Sequence, residues 1–357
     1  MPAIRPRDLL TDALLGQLHG ADLPGAGLPG VGLPGGAAGT AGSPEAEAAA
    51  LARDFALLRE AGYLTVTLPR ELGGLGCTLR QAACGQRRLA GVAPLTALAV
   101  SAHLYWTGAA ADAWRSFADD SASWILEEAS RGATFGAGHG EPGNDLKFAS
   151  PDSRCVRDGR GGWEFRRLAV SSLTPGWDWL AVHALDESAA APRAAVLAFA
   201  GREAHRVARV LPAGAPSDVF TASATGWGCA LLASVEFSAA RRAFRQAVAA
   251  AGASPGKPDR AGQPLDRAGH PLDRWPVAEA SLRLDTMKAR IADVTHPWPL
   301  VPEPGPDLGG QHMIGVYAMR REITEGSAAV RRLSAQIARA HGTSGQGASG
   351  GSAIAAR

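Results

Sequence analysis

Several residue groups in this chain could do chemistry. The cysteines, Cys77, Cys84, Cys155 and Cys229, form no C-x-x-C pair and have no histidine at zinc-finger distance. They read as buried thiols in a reducing, cytoplasmic setting, not as metal ligands. The stretch "GAGHGE", residues 136–141, has glycines at the density of a dinucleotide fingerprint. It follows a helical segment and leads into β structure, the reverse of the strand-turn-helix order that sets a pyrophosphate on a helix N-terminus. Ser171 and Ser172 lie in a strand-like run, where hydroxyls either satisfy backbone groups or donate to a ligand. Glu325 is a carboxylate inside "EITEGSAAVRRLSAQIAR". No G-x-S-x-G, H-E-x-x-H or P-loop pattern occurs, so hydrolase, metalloprotease and nucleoside-triphosphatase readings lack their minimum parts.

Charge narrows the partners. The 36 basic and 34 acidic residues leave a formal +2, which supplies no electrostatic reason to bind nucleic acid or an anionic membrane. Arginine pairs such as Arg87-Arg88, Arg241-Arg242 and Arg331-Arg332 read as solvated helix faces. There is no apolar h-region and no uninterrupted apolar run of about 18 residues, so no membrane span is expected. Arg5 and Arg7 ahead of "DLLTDALLGQLHG" leave an organelle-targeting segment as the alternative, which Asp8 and Asp12 oppose.

The elements that must position these groups fall in three parts. In "EAEAAALARDFALLREA", Leu51, Phe55 and Leu58 recur at helical spacing and Gly62 is placed as a stop. Residues 78–131 continue as helices, so 1–131 is an N-terminal helical domain, interrupted by a low-complexity insert at 20–44 that repeats "GLPG". From 132 the period shortens. "CVRDGRGGWEFRR" reads as two strands about a turn, and "WDWLAVHALD", "RAAVLAFAG" and "ASVEFS" as further strands, giving a middle β domain over 132–237. Residues 238–357 return to helix, with Val277, Ala280, Leu284, Met287, Ile291 and Val294 on one stripe. A flexible loop is expected at 252–274, a last helix over about 311–340 and a disordered tail at 342–357. The fold class is α+β: an N-terminal helical domain, a middle β domain and a C-terminal helical bundle.

With that order in view, "LREAGYLTVTLPRELGGLGCTLRQ" resembles the N-terminal helix pair of the acyl-CoA dehydrogenase superfamily, in which a P-x-x-x-G-G-x-G turn joins two helices. "FGAGHGEPGNDLKFAS" is similar to the family segment ending in T-E-P-x-x-G-S-D that meets the flavin ring. "GWEFRRLAVSSLTPGWDWLAVHAL" is similar to the strand pair that follows it. The resemblance implies FAD as cofactor and assigns flavin contacts to His139, Gly140, Gly143, Asn144, Ser171 and Ser172. It implies α,β-oxidation of an acyl-CoA or acyl-carrier-protein thioester, in a homodimer, homotetramer or hetero-oligomer.

The same resemblance makes Glu325 the catalytic base if "EITEGS" matches the family's Y-E-G-T segment. In a second register "IARAHGTSG" matches the family's H-G-G-x-G turn, and Glu325 is a solvated helix residue. Met319, Ile323, Gly326, Val330, Leu333 and Ile337 form a stripe that runs one helix straight through it. Two alternatives therefore stand beside the dehydrogenase. One is a flavin-dependent monooxygenase on the same fold, and the other is a non-catalytic subunit pairing with an intact paralogue.

Overall fold

A computed structural model of the chain describes residues 5–19, 44–117, 120–137, 153–157, 163–166, 176–188, 195–202, 207–211, 215–253, 271–296 and 308–342. The chain opens with two single-turn helices, α1 (Pro6–Leu9) and α2 (Asp12–Leu15), followed by α3 (Pro44–Glu60), α4 (Leu79–Ala90), α5 (Pro94–Phe117) and α6 (Ser123–Ser130). Leu51, Phe55 and Leu58 of α3 are buried together, and the chain turns at Gly62 with φ 75°.

The glycine-rich break before α4 is a folded device. Pro69 heads a short turn over Arg70–Leu72, and Gly73 and Gly76 hold φ of 82° and 64°, a region that side chains with a Cβ rarely enter. Gly74 has a different reason: a Cβ there would run into the Leu68 carbonyl. The Gly76 N–H reaches Leu68 O at 2.8 Å and the Cys77 N–H reaches Val66 O at 3.0 Å, closing the loop. It delivers Thr78, which caps α4 in a reciprocal pair with Gln81.

Six strands follow in one sheet: β1 (Phe135–Ala137), β2 (Arg154–Arg157), β3 (Trp163–Arg166), β4 (Trp179–Asp186), β5 (Ala195–Gly201) and β6 (Val207–Leu211). Their order is β3-β2-β4-β5-β6, with β1 also paired to β4. The expected hairpin is present, as Arg154 pairs with Arg166 and Arg157 with Trp163 in antiparallel register. One face of the sheet packs on the helices: Ala181, Leu197 and Phe199 join the main core, with Trp179 at its margin. Trp124 of α6 meets Phe199 edge-on at 5.1 Å and Trp179 at 5.2 Å, while Trp106 of α5 meets Phe199 at 5.2 Å. Cys155, Ala184 and Ala198 make a smaller cluster under Trp163 and Phe165.

Three long helices complete the fold: α7 (Ala215–Ala253), α8 (Pro271–Thr295) and α9 (Leu308–Gly342). "ASVEFS", read from sequence as a strand, is instead residues 233–238 in the middle of α7, so helix resumes at 215 and not at 238. The α8 stripe is as expected, with Ala280, Leu284, Met287, Ile291 and Val294 buried. Gly326 of α9 lies where a Cβ would come within 2.7 Å of the Met287 sulfur, which sets how closely α8 and α9 approach. Of the expected insert at 20–44, loop at 252–274 and tail at 342–357, Pro44 begins α3, 252–253 end α7, 271–274 begin α8 and Gly342 ends α9, while 20–43, 254–270 and the residues from 343 lie outside the described residues.

Candidate functional site

The described residues that flank the first candidate segment lie along one side of β4. β1 runs parallel to the start of β4, with Ala137 opposite Ala181. β2 runs parallel to its end, with Arg154 opposite Leu185. Both flank the same side of β4, because β5 occupies the other. Residues 138–152 therefore leave and rejoin the sheet about 13 Å apart along β4, at the level of Val182, His183 and Ala184, which have no strand partner on that side among the described residues. The β2–β3 hairpin returns the chain to the same level, since Arg166 pairs with Arg154, and residues 167–175 start there.

The entry to this edge is firmly held. Asp178 Oδ2 accepts from the Thr134 N–H at 2.7 Å and from its hydroxyl at 3.0 Å, and the Asp178 N–H donates to Thr134 O at 2.9 Å. β1 and β4 thus start together. His103 of α5 adds a second tie. Its Nδ1 accepts from the Phe135 N–H at 3.3 Å, which places the ring proton on Nε2, where it is donated to Leu64 O at 2.7 Å.

Burial drives the His103 pKa down from 6.5 to about 4; the Leu64 carbonyl and Asp178 pull upward, and Arg59 pushes down with burial. The unfolded chain therefore binds a proton between these values that the native chain does not. The stabilisation is full above pH 6.5 and is lost as pH falls through about 4. A shift of this size corresponds to about 3 kcal/mol. Urea unfolding measured across this range should show that slope in the native chain, and His103→Gln should flatten it.

The sequence-assigned flavin contacts His139, Gly140, Gly143 and Asn144 fall in 138–152, and Ser171 and Ser172 fall in 167–175, all outside the described residues. The described residues that flank them are Ala137 opposite Ala181 and Arg154 opposite Leu185 for the first segment, and Arg166 on β3 and Gly176 beside Thr134 for the second. Glu325 stands elsewhere, in the middle of α9. Its side chain is 65% exposed and accepts from Arg321 Nε at 2.8 Å, one turn earlier. Sequence reasoning passed over His183, which is 7% exposed in mid-β4 opposite Leu197. Strand alternation puts it on the same face as Ala181, toward the helices. The alternation in "WLAVHALD" was the available signal.

Among the described residues no three histidine, cysteine or acidic side chains gather as a metal site, and no helix is long and apolar enough to cross a membrane. None of the four cysteines is in a disulfide; Cys77, Cys155 and Cys229 are buried and Cys84 is half-buried. Burial pushes the Cys77 and Cys155 thiols up to about 12, so neither is poised as a nucleophile.

Helices, a small mixed sheet and helices again make up the acyl-CoA dehydrogenase fold, and similarity to solved structures bears this out. The dibenzothiophene monooxygenase TdsC of Paenibacillus sp. A11-2, solved with FMN and indole, is similar over 82% of this chain and 82% of its own, with 16% identity and a TM-score of 0.63. KijD3, solved with FMN and a dTDP-linked keto-sugar, matches over 80% of this chain and 74% of its own at 21% identity and a TM-score of 0.55. The prolyl acyl carrier protein oxidase AnaB matches over 81% of each chain at 13% identity and a TM-score of 0.60. No protein-family profile and no curated protein sequence matches this chain.

Proposed function

We propose that the chain is a flavin-dependent oxidoreductase of the monooxygenase kind, with the flavin ring held beside the stretch of β4 between its pairings with β1 and β2. The observation that carries the reading is that Ala137 and Arg154, which flank the sequence-assigned segment 138–152, pair along one side of β4. It is supported by the FMN-bound structures of TdsC and KijD3. The residues available there fit a flat, polar-rimmed ring. The glycines and hydroxyls of the two sequence-assigned segments offer backbone and side-chain donors. A bound flavin supplies reversible two-electron transfer. The chain's own part is placement: Asp178 and His103 fix the start of β1, which leads into the segment that would hold the flavin.

A second reading, oxidation of an acyl thioester by FAD with Glu325 as base, is supported by the similarity to AnaB. It asks for a desolvated carboxylate, whereas Glu325 in the single chain is exposed and held by Arg321.

The experiment is a visible spectrum of the purified protein with FMN and with FAD, followed by anaerobic thioester addition and by oxygen uptake with reduced flavin. The monooxygenase reading expects a yellow protein, no bleaching, and oxygen uptake that Glu325→Gln leaves unchanged. Bleaching by a thioester, lost about 10²-fold or more in Glu325→Gln, would replace it with the second reading. A protein that stays colourless until a paralogue is added would make it a non-catalytic subunit.

A further inference from the structure

We infer that the seam between α4 and α7 binds a multiply charged oxyanion of the phosphate class, held by Arg80, Arg87, Arg241 and Arg245 beside the Cys84 thiol. The two helices pack together. Arg80, Cys84 and Arg87 follow at four and three residues, so they form one stripe of α4, and Arg241 and Arg245 lie one turn apart on α7. Arg242, the next residue of α7, donates to Val92 O in the turn after α4, which fixes this part of α7 against the end of α4.

The arginine pairs that read from sequence as solvated faces divide their work. Arg88 donates to Leu10 O at 2.8 Å and to Asp12 at 2.7 Å, and Arg242 is held by Val92. Arg87 and Arg241 have no carboxylate partner among the described residues, nor do Arg80 and Arg245. Arg87 is half-buried and donates to the Cys84 sulfur. Burial and the nearby Arg80 hold its guanidinium below the usual arginine range, against the pull of Cys84. Partial burial, Arg245 and Arg87 act on Arg241 in the same sense. All four stay charged at neutral pH, so positive charge accumulates along the seam with no carboxylate to offset it among the described residues. Ser238, three residues before Arg241 and four before Arg242, lies on the same side of α7. It is 3% exposed, and its hydroxyl has no hydrogen-bond partner among the described residues.

The missing charge defines the ligand. A phosphate group carries about two negative charges, on oxygens that guanidinium forks grip in pairs. One such ligand relieves the repulsion on both helices at once.

The test uses Cys84 as a local reporter, since it alone of the four cysteines is not buried. Inorganic pyrophosphate is titrated into the full chain with saturating FMN, so that a pocket for the flavin phosphate is already filled, and alkylation of Cys84 by N-ethylmaleimide is followed by peptide mass. Pyrophosphate should protect Cys84. Arg241→Gln/Arg245→Gln, at exposed positions, should weaken that protection about tenfold or more and leave the circular dichroism spectrum unchanged. Protection by pyrophosphate assigns a soluble ligand; protection by phosphatidylcholine vesicles containing phosphatidic acid, with none by pyrophosphate, assigns the same arginines to a lipid headgroup. Equal protection by sodium chloride at matched ionic strength, protection by neither phosphate source, protection by a single-stranded oligonucleotide alone, or indifference to the double substitution would overturn the inference.

Discussion

Glu236→Ala is expected to cost about 3–5 kcal/mol of unfolding free energy, read as a drop in the urea midpoint. Glu236 of α7 holds Arg320 of α9 through two parallel contacts, 2.6 Å from NH1 to Oε2 and 3.0 Å from NH2 to Oε1. The Thr324 hydroxyl donates to the same carboxylate at 3.0 Å. The two side chains are 4% and 1% exposed, so water cannot replace the lost partner and a guanidinium is stranded in the core. Much of the loss is that stranding and not the worth of the pair. Glu236→Leu/Arg320→Met should therefore recover most of it, because a well-packed apolar pair of similar volume avoids both desolvation costs. A double variant as unstable as the single one would show that α7 and α9 do not pack as described.

Gly108→Ala should destabilise by about 3 kcal/mol, although alanine is the better helix former by about 1 kcal/mol. A Cβ at Gly108 of α5 would lie 2.5 Å from the Trp227 ring of α7. The ring cannot swing away cheaply: its Nε1 donates to Asp112 Oδ2 at 2.6 Å, and Ser223 donates to the same oxygen at 3.2 Å. Arg115 stands 4.0 Å from the other oxygen of Asp112 and reaches back to Thr67 O at 3.4 Å, so the strain would spread into the glycine loop before α4. Thermal unfolding followed by near-ultraviolet dichroism checks this. A higher midpoint for Gly108→Ala would mean that only helix propensity acts there and that the two helices cross farther apart.

Much of this architecture was legible because particular residues leave a local mark. Gly62 announced the end of α3, and the 3–4 spacing from Ala280 to Val294 announced the buried side of α8. The strand read at 233–238 failed for a physical reason. Ala230, Leu231, Ala233, Ser234, Val235, Glu236 and Phe237 are all buried, so that part of α7 is enclosed on every side and shows no 3.6-residue period. A short apolar run with Val and Phe then looks like a strand. Glu236 escaped notice because its partner lies 84 residues away.

The site was legible in part. Resemblance pointed to segments 138–152 and 167–175, but only strand register could place the residues flanking 138–152 along one stretch of β4. The stripe through Glu325 correctly required an unbroken helix. Its exposed side and its Arg321 contact are three-dimensional facts that spacing cannot supply.

The position of β4 also orders the birth of the molecule. Residues 135–137 find their ladder only when 179–181 have been synthesised, and β2, already paired with β3, meets β4 only at 185–186. Until Phe199 is made, Trp106, Trp124 and Phe135 lack a strand partner that covers them. On the ribosome the nascent chain presents an aromatic surface to whatever is nearby for more than sixty residues of translation, roughly 3–13 s at 5–20 residues per second. Chaperone contact should concentrate in that interval.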